Sequence, residues 1–176
     1  MVNNIAIIGA GVSGLTAGYA LRKLGASVDI YERSESVTEF GAGITLSKNA
    51  TSLLKELGLM DVLLKKGYQP MGSYIRDFKK AKIISYMEFD ENFITLDRRD
   101  LVEQLSNKFF EIGGNIFFGK DIQLLDPSTG TVQISDQNSK TYDLILICDG
   151  IKSSLRNKLF DSSEPIFTNY VAWRGM

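Results

Sequence analysis

The sequence predicts an α/β fold, a parallel sheet carrying an antiparallel β-meander, and three observations predict it. "NIAIIG" is a continuously apolar run that breaks into a glycine loop at Gly9, Gly11 and Gly14. Val12 to Leu24 then carries helical spacing, and "SVDIYE" alternates before stopping at charge, so residues 4 to 32 read as a βαβ unit. Far along the chain, "DPSTG" and "DQNSK" punctuate residues 121 to 143 into short antiparallel strands, and "YDLILICDG" follows as another buried strand.

The elements between follow in order. A second helix is predicted from about Asn49 to Leu57, with Leu53, Leu54 and Leu57 on one face and Gly58 as its stop. Residues 72 to 95 alternate in short stretches around a Lys-rich turn and predict a β-hairpin leaving the main body. Asp97, with Asp100 three residues on, predicts a helix start; Leu101, Val102, Leu105 and Phe109 form its apolar face, and Gly113 and Gly114 end it. "NIFFG" reads as a buried strand. Ser153 caps a short last helix through Phe160, and "NYVAWRGM" reads as one more strand. No internal repeat is present.

Composition narrows the partners. With 176 residues, 44% of them apolar, the chain can bury one real core. A net charge of −1 and no basic block give no footprint for nucleic acid or an anionic membrane, so small molecules are the expected partners. The chain has no histidine, which excludes Ser-His-Asp and Cys-His catalysis and histidine metal sites. Cys148 is the only cysteine, so there is no intrachain disulfide, no C-x-x-C pair and no thiolate cluster. Its apolar neighbours predict an inert buried thiol. No Lys or Arg precedes the N-terminal apolar run, and no stretch approaches the roughly 20 apolar residues that span a bilayer; the expected location is cytoplasmic.

Gly9, Gly11 and Gly14 form G-x-G-x-x-G between a strand and a helix. The motif needs glycine for the tight turn, for close approach of backbone to a pyrophosphate, and for packing of helix on sheet. Backbone N–H groups and the positive helix end then face the anion. Glu32 closes the second strand, where a carboxylate accepts hydrogen bonds from ribose hydroxyls. That carboxylate would repel a 2′-phosphate, which disfavours NADP here and leaves NAD and FAD open. Arg98 stands at a helix start, poorly placed against the dipole, and so calls for an anionic neighbour. Asp149 before Gly150 reads equally as a strand-end turn or as part of a site. Trp173 and the tyrosines read as core or sheet packing and are assigned no site.

Taken in order, these stretches resemble the FAD-dependent aromatic hydroxylases, flavin monooxygenases of the para-hydroxybenzoate, salicylate and urate hydroxylase type. "GAGVSGLTAGYALRKLGASVDIYER" is similar to the family's FAD fingerprint. The resemblance implies a Rossmann-like FAD-binding fold with Gly9, Gly11, Val12, Ser13 and Gly14 at the pyrophosphate, Glu32 on the adenosine ribose and Arg33 near the adenine. "GAGITLSKNATSLLKELGL" resembles the next segment, whose backbone near Ile44 and Thr45 lies close to flavin and ribityl chain. "DRRDLVEQL" is similar to the helix start that places Arg98 toward the FAD phosphates. "FGKDIQLLD" resembles the strand whose backbone at Ile122 touches adenine. "YDLILICDGIKSSLR" resembles the D-G motif, with Asp149 and Gly150 near the pyrophosphate and in contact with NAD(P)H. "YVAWRG" is similar to a strand of the substrate-binding sheet. Two positions depart from the family: Lys48 before Asn49, where Pro is usual, and Asp97 before Arg98, where His is common. Altered local contacts are expected there.

The same resemblance implies a discontinuous FAD-binding domain at residues 1–71 and 96–165, with 72–95 and 166–176 forming part of a second, substrate-domain sheet. It implies a reaction in which NADH or NADPH reduces the flavin, O2 forms a flavin C4a-hydroperoxide, and a small aromatic or heteroaromatic substrate is hydroxylated. The cofactor carries that chemistry, so no catalytic residue is assigned. Family members continue past the point where this sequence stops, and the fragment alone is expected to lack the enclosed cavity and to catalyse poorly. Related flavin epoxidases and prenyl reductases share the N-terminal architecture, whereas the absence of C-x-x-x-x-C argues against a disulfide reductase. A reading of another class is a non-catalytic FAD fold or interaction module, self-associating through an unfinished sheet edge at "NYVAWRGM".

Overall fold

The computed structural model describes residues 2–36, 43–135, 138–160 and 164–172. Its elements in chain order are β1 (Asn4–Ile8), α1 (Val12–Lys23), β2 (Ser27–Tyr31), β3 (Gly43–Leu46), α2 (Lys48–Glu56), α3 (Met60–Leu64), β4 (Gly72–Arg76), β5 (Ile83–Glu88), β6 (Ile94–Asp97), α4 (Arg98–Glu111), β7 (Asn115–Phe117), β8 (Ile122–Asp126), β9 (Thr131–Ile134), β10 (Ser139–Thr141), β11 (Leu144–Ile147) and α5 (Ser154–Leu159). They divide into two compact units, residues 1–39 with 105–175, and residues 40–104.

The first unit is the predicted α/β fold. Its parallel sheet has the order β11-β1-β2-β7, with Ile7 opposite Ile30 on one side and Leu146 on the other. β1 is central, which is why its run is apolar throughout: Ile5, Ala6, Ile7 and Ile8 are all buried. α1 packs closely on this sheet through Gly18, where an added Cβ would meet Ile30 Cδ1 at 2.8 Å. Arg22 fastens the end of that helix, donating to the carbonyls of Ala26, Ile112 and Gly113. Leu105 and Phe109 of α4 are buried as their spacing predicts, and Gly113 follows at a φ of +73°.

Two strands differ from expectation. "NIFFG" and "YDLILICDG" are apolar but not buried strands, since Phe117 is 36% and Leu144 38% exposed and Ile145 to Ile147 are half-buried. Each lies at an edge of the four-stranded sheet and pairs on one side only. β8, β9 and β10 form the antiparallel meander in the order β10-β9-β8; Asp136 and Gln137 of its second turn lie outside the described residues.

The meander returns to the sheet at Asp143, whose Oδ2 accepts the Asn3 and Asn4 N–H groups at 2.9 Å each. These bonds, Asn3 first, hold its carboxyl below the usual range. A carboxylate depressed on folding stabilises the fold above its unfolded value, near 3.9, and loses that contribution as pH falls through the folded value. Asp143→Asn is therefore expected to flatten part of the acid limb of the stability curve below roughly pH 4, read from urea midpoints across pH.

α5 begins as predicted, with Ser153 Oγ accepting the Arg156 N–H at 3.0 Å. Ser153→Ala should cost about 1 kcal/mol, seen as a lower denaturant midpoint at unchanged slope. Beyond it, Asn169 to Ala172 form no strand, and Tyr170 and Val171 are exposed. A strand needs a hydrogen-bonding neighbour, and no described strand runs beside this segment. Trp173 and the rest of "NYVAWRGM" lie outside the described residues.

The second unit holds two antiparallel pairs, β3 with β6 and β4 with β5. The predicted hairpin is present; its turn is closed by Asp77 Oδ1, which accepts the N–H groups of Lys79 and Lys80. In α2 the buried stripe is Thr51 and Leu54, while Leu53 is 58% exposed. At 100° per residue Leu53 stands more than a quarter turn from Leu54, and the i, i+3 pair decides the buried face. Gly58 stops the segment at a φ of +79°.

α3 and β6 were not expected from periodicity, each being short. The start of α4 also differs in detail. Asp97 Oδ1 accepts the Arg99 N–H at 2.8 Å, a true cap, but Asp100 pairs with Lys66 Nζ at 2.5 Å. Asp is a methylene shorter than the Glu or Gln that reaches back in a capping box.

Candidate functional site

The site of the first unit begins where β1 ends. Gly9 has a φ of +102°, and a Cβ there would meet the Cys148 carbonyl oxygen at 2.5 Å. Its N–H donates to the Tyr31 carbonyl at 2.7 Å, so the turn is locked to β2. A Cβ on Gly14 would run into the Gly9 carbonyl oxygen. Gly11 is different: its backbone is ordinary, φ −76° and ψ −177°, and a Cβ would have no atom of the described residues within 4 Å. No side chain caps α1 at Gly11, and no acidic residue occupies its first turn. Among the described residues the loop thus leaves the positive end of α1 without a side-chain cap, with Val12 and Ser13 as its first helical residues.

Glu32 stands just past β2 and has a second task that sequence does not show. Its Oε2 accepts the Ala10 N–H at 2.7 Å and its Oε1 accepts the Ser34 N–H at 2.9 Å. One carboxylate therefore braces the glycine loop from below. Its backbone is held as well, the N–H donating to the Phe117 carbonyl and the carbonyl accepting the Lys120 N–H, both at 2.9 Å.

Gly9, Tyr31, Arg33, Lys120, Ile122 and Asp149 line one groove. On the far side of Asp149 a second depression is lined by Ser13, Gly150, Ser153 and Arg156. Both open beside the C-terminal ends of β1 and β11, where the strand order reverses: from β1 the chain goes on to β2 and β7 in one direction, and β11 pairs with the opposite edge of β1. That is the switch point at which open α/β sheets bind ligands. Gly150 takes a φ of +83°, the left-handed turn that follows Asp149. Cys148 is half-buried, not buried as predicted, because β11 is an edge strand. Burial, then the charge of Asp149, pushes its thiol up, which keeps it protonated and unreactive.

The second unit places the remaining predicted residues near one another. Ile44 and Thr45 of β3 pair in register with Leu96 and Thr95 of β6, and Arg98 opens α4 one residue beyond Asp97, the partner of Gly43. The first unit holds Gly9, Gly11, Val12, Ser13, Gly14, Glu32, Arg33, Ile122, Asp149 and Gly150. Lys120, Lys152 and Arg156 also line its two depressions and escaped sequence reasoning. Lys152 and Arg156 lie in the D-G segment "DGIKSSLR" and Lys120 in "FGKDIQLLD", but in neither stretch does spacing single out the basic residue.

Strand, glycine loop, uncapped helix and strand-end carboxylate at a switch point define a dinucleotide-binding α/β protein. Residues 3–167 match the model of the FAD binding domain, and the chain belongs to that family. It is 29% identical over 182 residues to the aurachin C monooxygenase/isomerase of Stigmatella aurantiaca, covering 98% of this chain and 46% of that protein. The 6-hydroxynicotinate 3-monooxygenase of Bordetella bronchiseptica is 25% identical, with 98% and 47% covered. Among solved structures, the tetrameric form of 2-methyl-3-hydroxypyridine-5-carboxylic acid oxygenase superposes with a TM-score of 0.76 at 28% identity, over 82% of this chain and 38% of that one. The chain spans about half the length of the curated relatives it matches. FAD fits the residues present: an anion can approach Gly11 where the protein leaves room, and Glu32 offers lone pairs beyond the two it uses on backbone.

Proposed function

We propose that this chain is the FAD-binding portion of an NAD(P)H-dependent flavin monooxygenase that hydroxylates a small aromatic or heteroaromatic ring. The observation that carries the reading is the open space over Gly11 at an uncapped helix end, with Gly9 and Gly14 packed against backbone on either side. In this reading Gly11, Val12, Ser13 and Gly14 hold the pyrophosphate through N–H groups and helix dipole. Glu32 accepts from the ribose, and Arg33 and Ile122 flank the adenine. Asp149 and Gly150 meet the pyrophosphate side and the nicotinamide donor, Arg98 the phosphates, and Ile44 and Thr45 the flavin and ribityl chain. Bound FAD supplies the electron transfer from nicotinamide to O2. In this reading 1–71 and 96–165 bind FAD and the hairpin within 72–95 contributes to a substrate sheet, which 166–176 would join only on meeting a partner strand, since Asn169 to Ala172 form no strand here. The heteroaromatic class is supported by relatives named for 6-hydroxynicotinate and for a hydroxypyridine carboxylic acid.

Calorimetric titration tests the reading. The chain is expected to bind FAD in preference to NAD, and NAD binding without FAD binding would overturn it. A second reading, self-association, is favoured by the β4–β5 hairpin, which exposes Tyr74, Ile75, Ile84 and Met87. Light scattering should then show dimers or larger species, and a monomer over a wide concentration range counts against it.

A further inference from the structure

Beneath the groove, the first unit holds a polar chain that the glycine loop and Glu32 do not account for. Asp29 sits in the middle of β2 and is only 8% exposed. Its Oδ2 accepts two bonds, from Lys140 Nζ at 2.7 Å and from the Tyr142 hydroxyl at 2.7 Å. The Tyr142 oxygen lies 2.6 Å from that of Tyr31. A phenol carries one proton. Tyr142 directs its proton at Asp29, so Tyr31 must donate to Tyr142, and the chain runs in one direction from Tyr31 through Tyr142 to the carboxylate. Burial first, then Tyr31 and Asp29, push the Tyr142 phenol above its ordinary value, so that proton stays in place.

Two observations tie this chain to the groove. Tyr31 lines the groove together with Arg33 and Ile122, and it belongs to the same core cluster as Tyr142, Ile122 and Leu155. It is also the last residue of β2, so its carbonyl holds Gly9 and its successor is Glu32. Tyr142, at the other end of the link, closes the meander by donating its N–H to the Gly130 carbonyl at 2.9 Å. The hydroxyl pair thus joins the strand that carries Glu32 to the meander that carries Ile122.

We propose that Tyr142, acting through Tyr31 and Asp29, is a positioning residue that fixes the gap between the end of β2 and the start of β8, and with it the fit of an adenosine moiety in the groove. This rests on the reading of the groove as a dinucleotide site. It adds that the affinity of its adenosine half depends on a hydroxyl that touches no ligand.

ADP is the probe, because it lacks the flavin and reports on that half alone. Tyr142→Phe keeps the ring and removes the link, and loss of one buried hydrogen bond's worth of fit should lower ADP affinity about fivefold. Val132→Ala is the control: it opens a cavity in the same core cluster and lowers stability, but leaves the hydroxyl chain intact. It is expected to leave ADP affinity unchanged at a temperature where both variants are folded by circular dichroism. Tyr31→Phe cuts only the Tyr31 link and leaves Tyr142 donating to Asp29, so it should lose ADP affinity but no more than Tyr142→Phe does, and the double variant should lose no more than Tyr142→Phe alone. It also carries the test if Tyr142→Phe fails to fold. Unchanged affinity in the Phe variants, or losses that follow stability across all three, would overturn the positioning role while the parent still binds ADP. A parent chain that binds neither ADP nor FAD would overturn the groove reading and this proposal with it.

Discussion

Gly11→Ala is expected to lower FAD affinity by about tenfold or more while leaving the folded protein essentially as stable as its parent. The methyl group meets no atom of the described residues within 4 Å, and the backbone at φ −76° suits any residue, so the described fold does not resist it. What it obstructs is the approach of a pyrophosphate to the loop. Losing even one charge-assisted hydrogen bond there costs roughly 1.5–3 kcal/mol, which is the tenfold or larger factor. Gly14→Ala is the contrast. Its methyl would drive into the Gly9 carbonyl oxygen, so stability and binding should fall together. Thermal melts and FAD titrations on the two variants separate a glycine kept for the ligand from one kept for packing. If Gly11→Ala binds like the parent with the fold intact, the loop is not a phosphate cradle.

Glu32→Ala should be the most damaging side-chain change around the glycine loop. It removes the ribose acceptor and also releases the Ala10 and Ser34 N–H groups that its two oxygens hold. FAD affinity should fall by more than the roughly 1.5–3 kcal/mol of a single charge-assisted bond. Glu32→Gln should rescue only in part, because one end of the amide then presents a donor to a backbone donor. Arg98→Ala should weaken FAD by a different route, loss of attraction to phosphate, so its penalty should shrink as salt rises, whereas the Glu32 penalty should hold. Affinities for the variants at low and high ionic strength check both; negligible losses in all would place neither residue at the cofactor.

What was legible in the sequence is what neighbours in sequence decide. The βαβ unit, the meander turns, the Ser153 cap and the glycine motif each depend on residues within a few positions of one another. Burial of "NIFFG" and "LILI" depends on strand order, and an edge position leaves no mark on the composition of a four-residue apolar run. Leu53 and Leu54 look alike in sequence, and only packing chooses between them. The site divides the same way. Gly11 and Glu32 announce themselves by spacing, but the brace from Glu32 to Ala10 follows from the pairing of β1 with β2, and the presence of Lys120 beside Arg33 from the pairing of β2 with β7, which joins residues far apart in the chain.

The position of β1 in its sheet has a consequence for synthesis. This strand is synthesised well before β11, which alone covers one of its edges, with Ile5 opposite Leu144. At about 5–20 residues per second, that edge waits on the order of ten seconds for its partner. During this interval Ile5 to Ile8 present one unpaired edge of a fully apolar strand to other nascent chains, and long-range parallel pairing is slow to form even once both strands exist. Translation past Ile147 is therefore the step that closes the sheet, and a nascent chain stalled short of it should depend on chaperones to stay soluble.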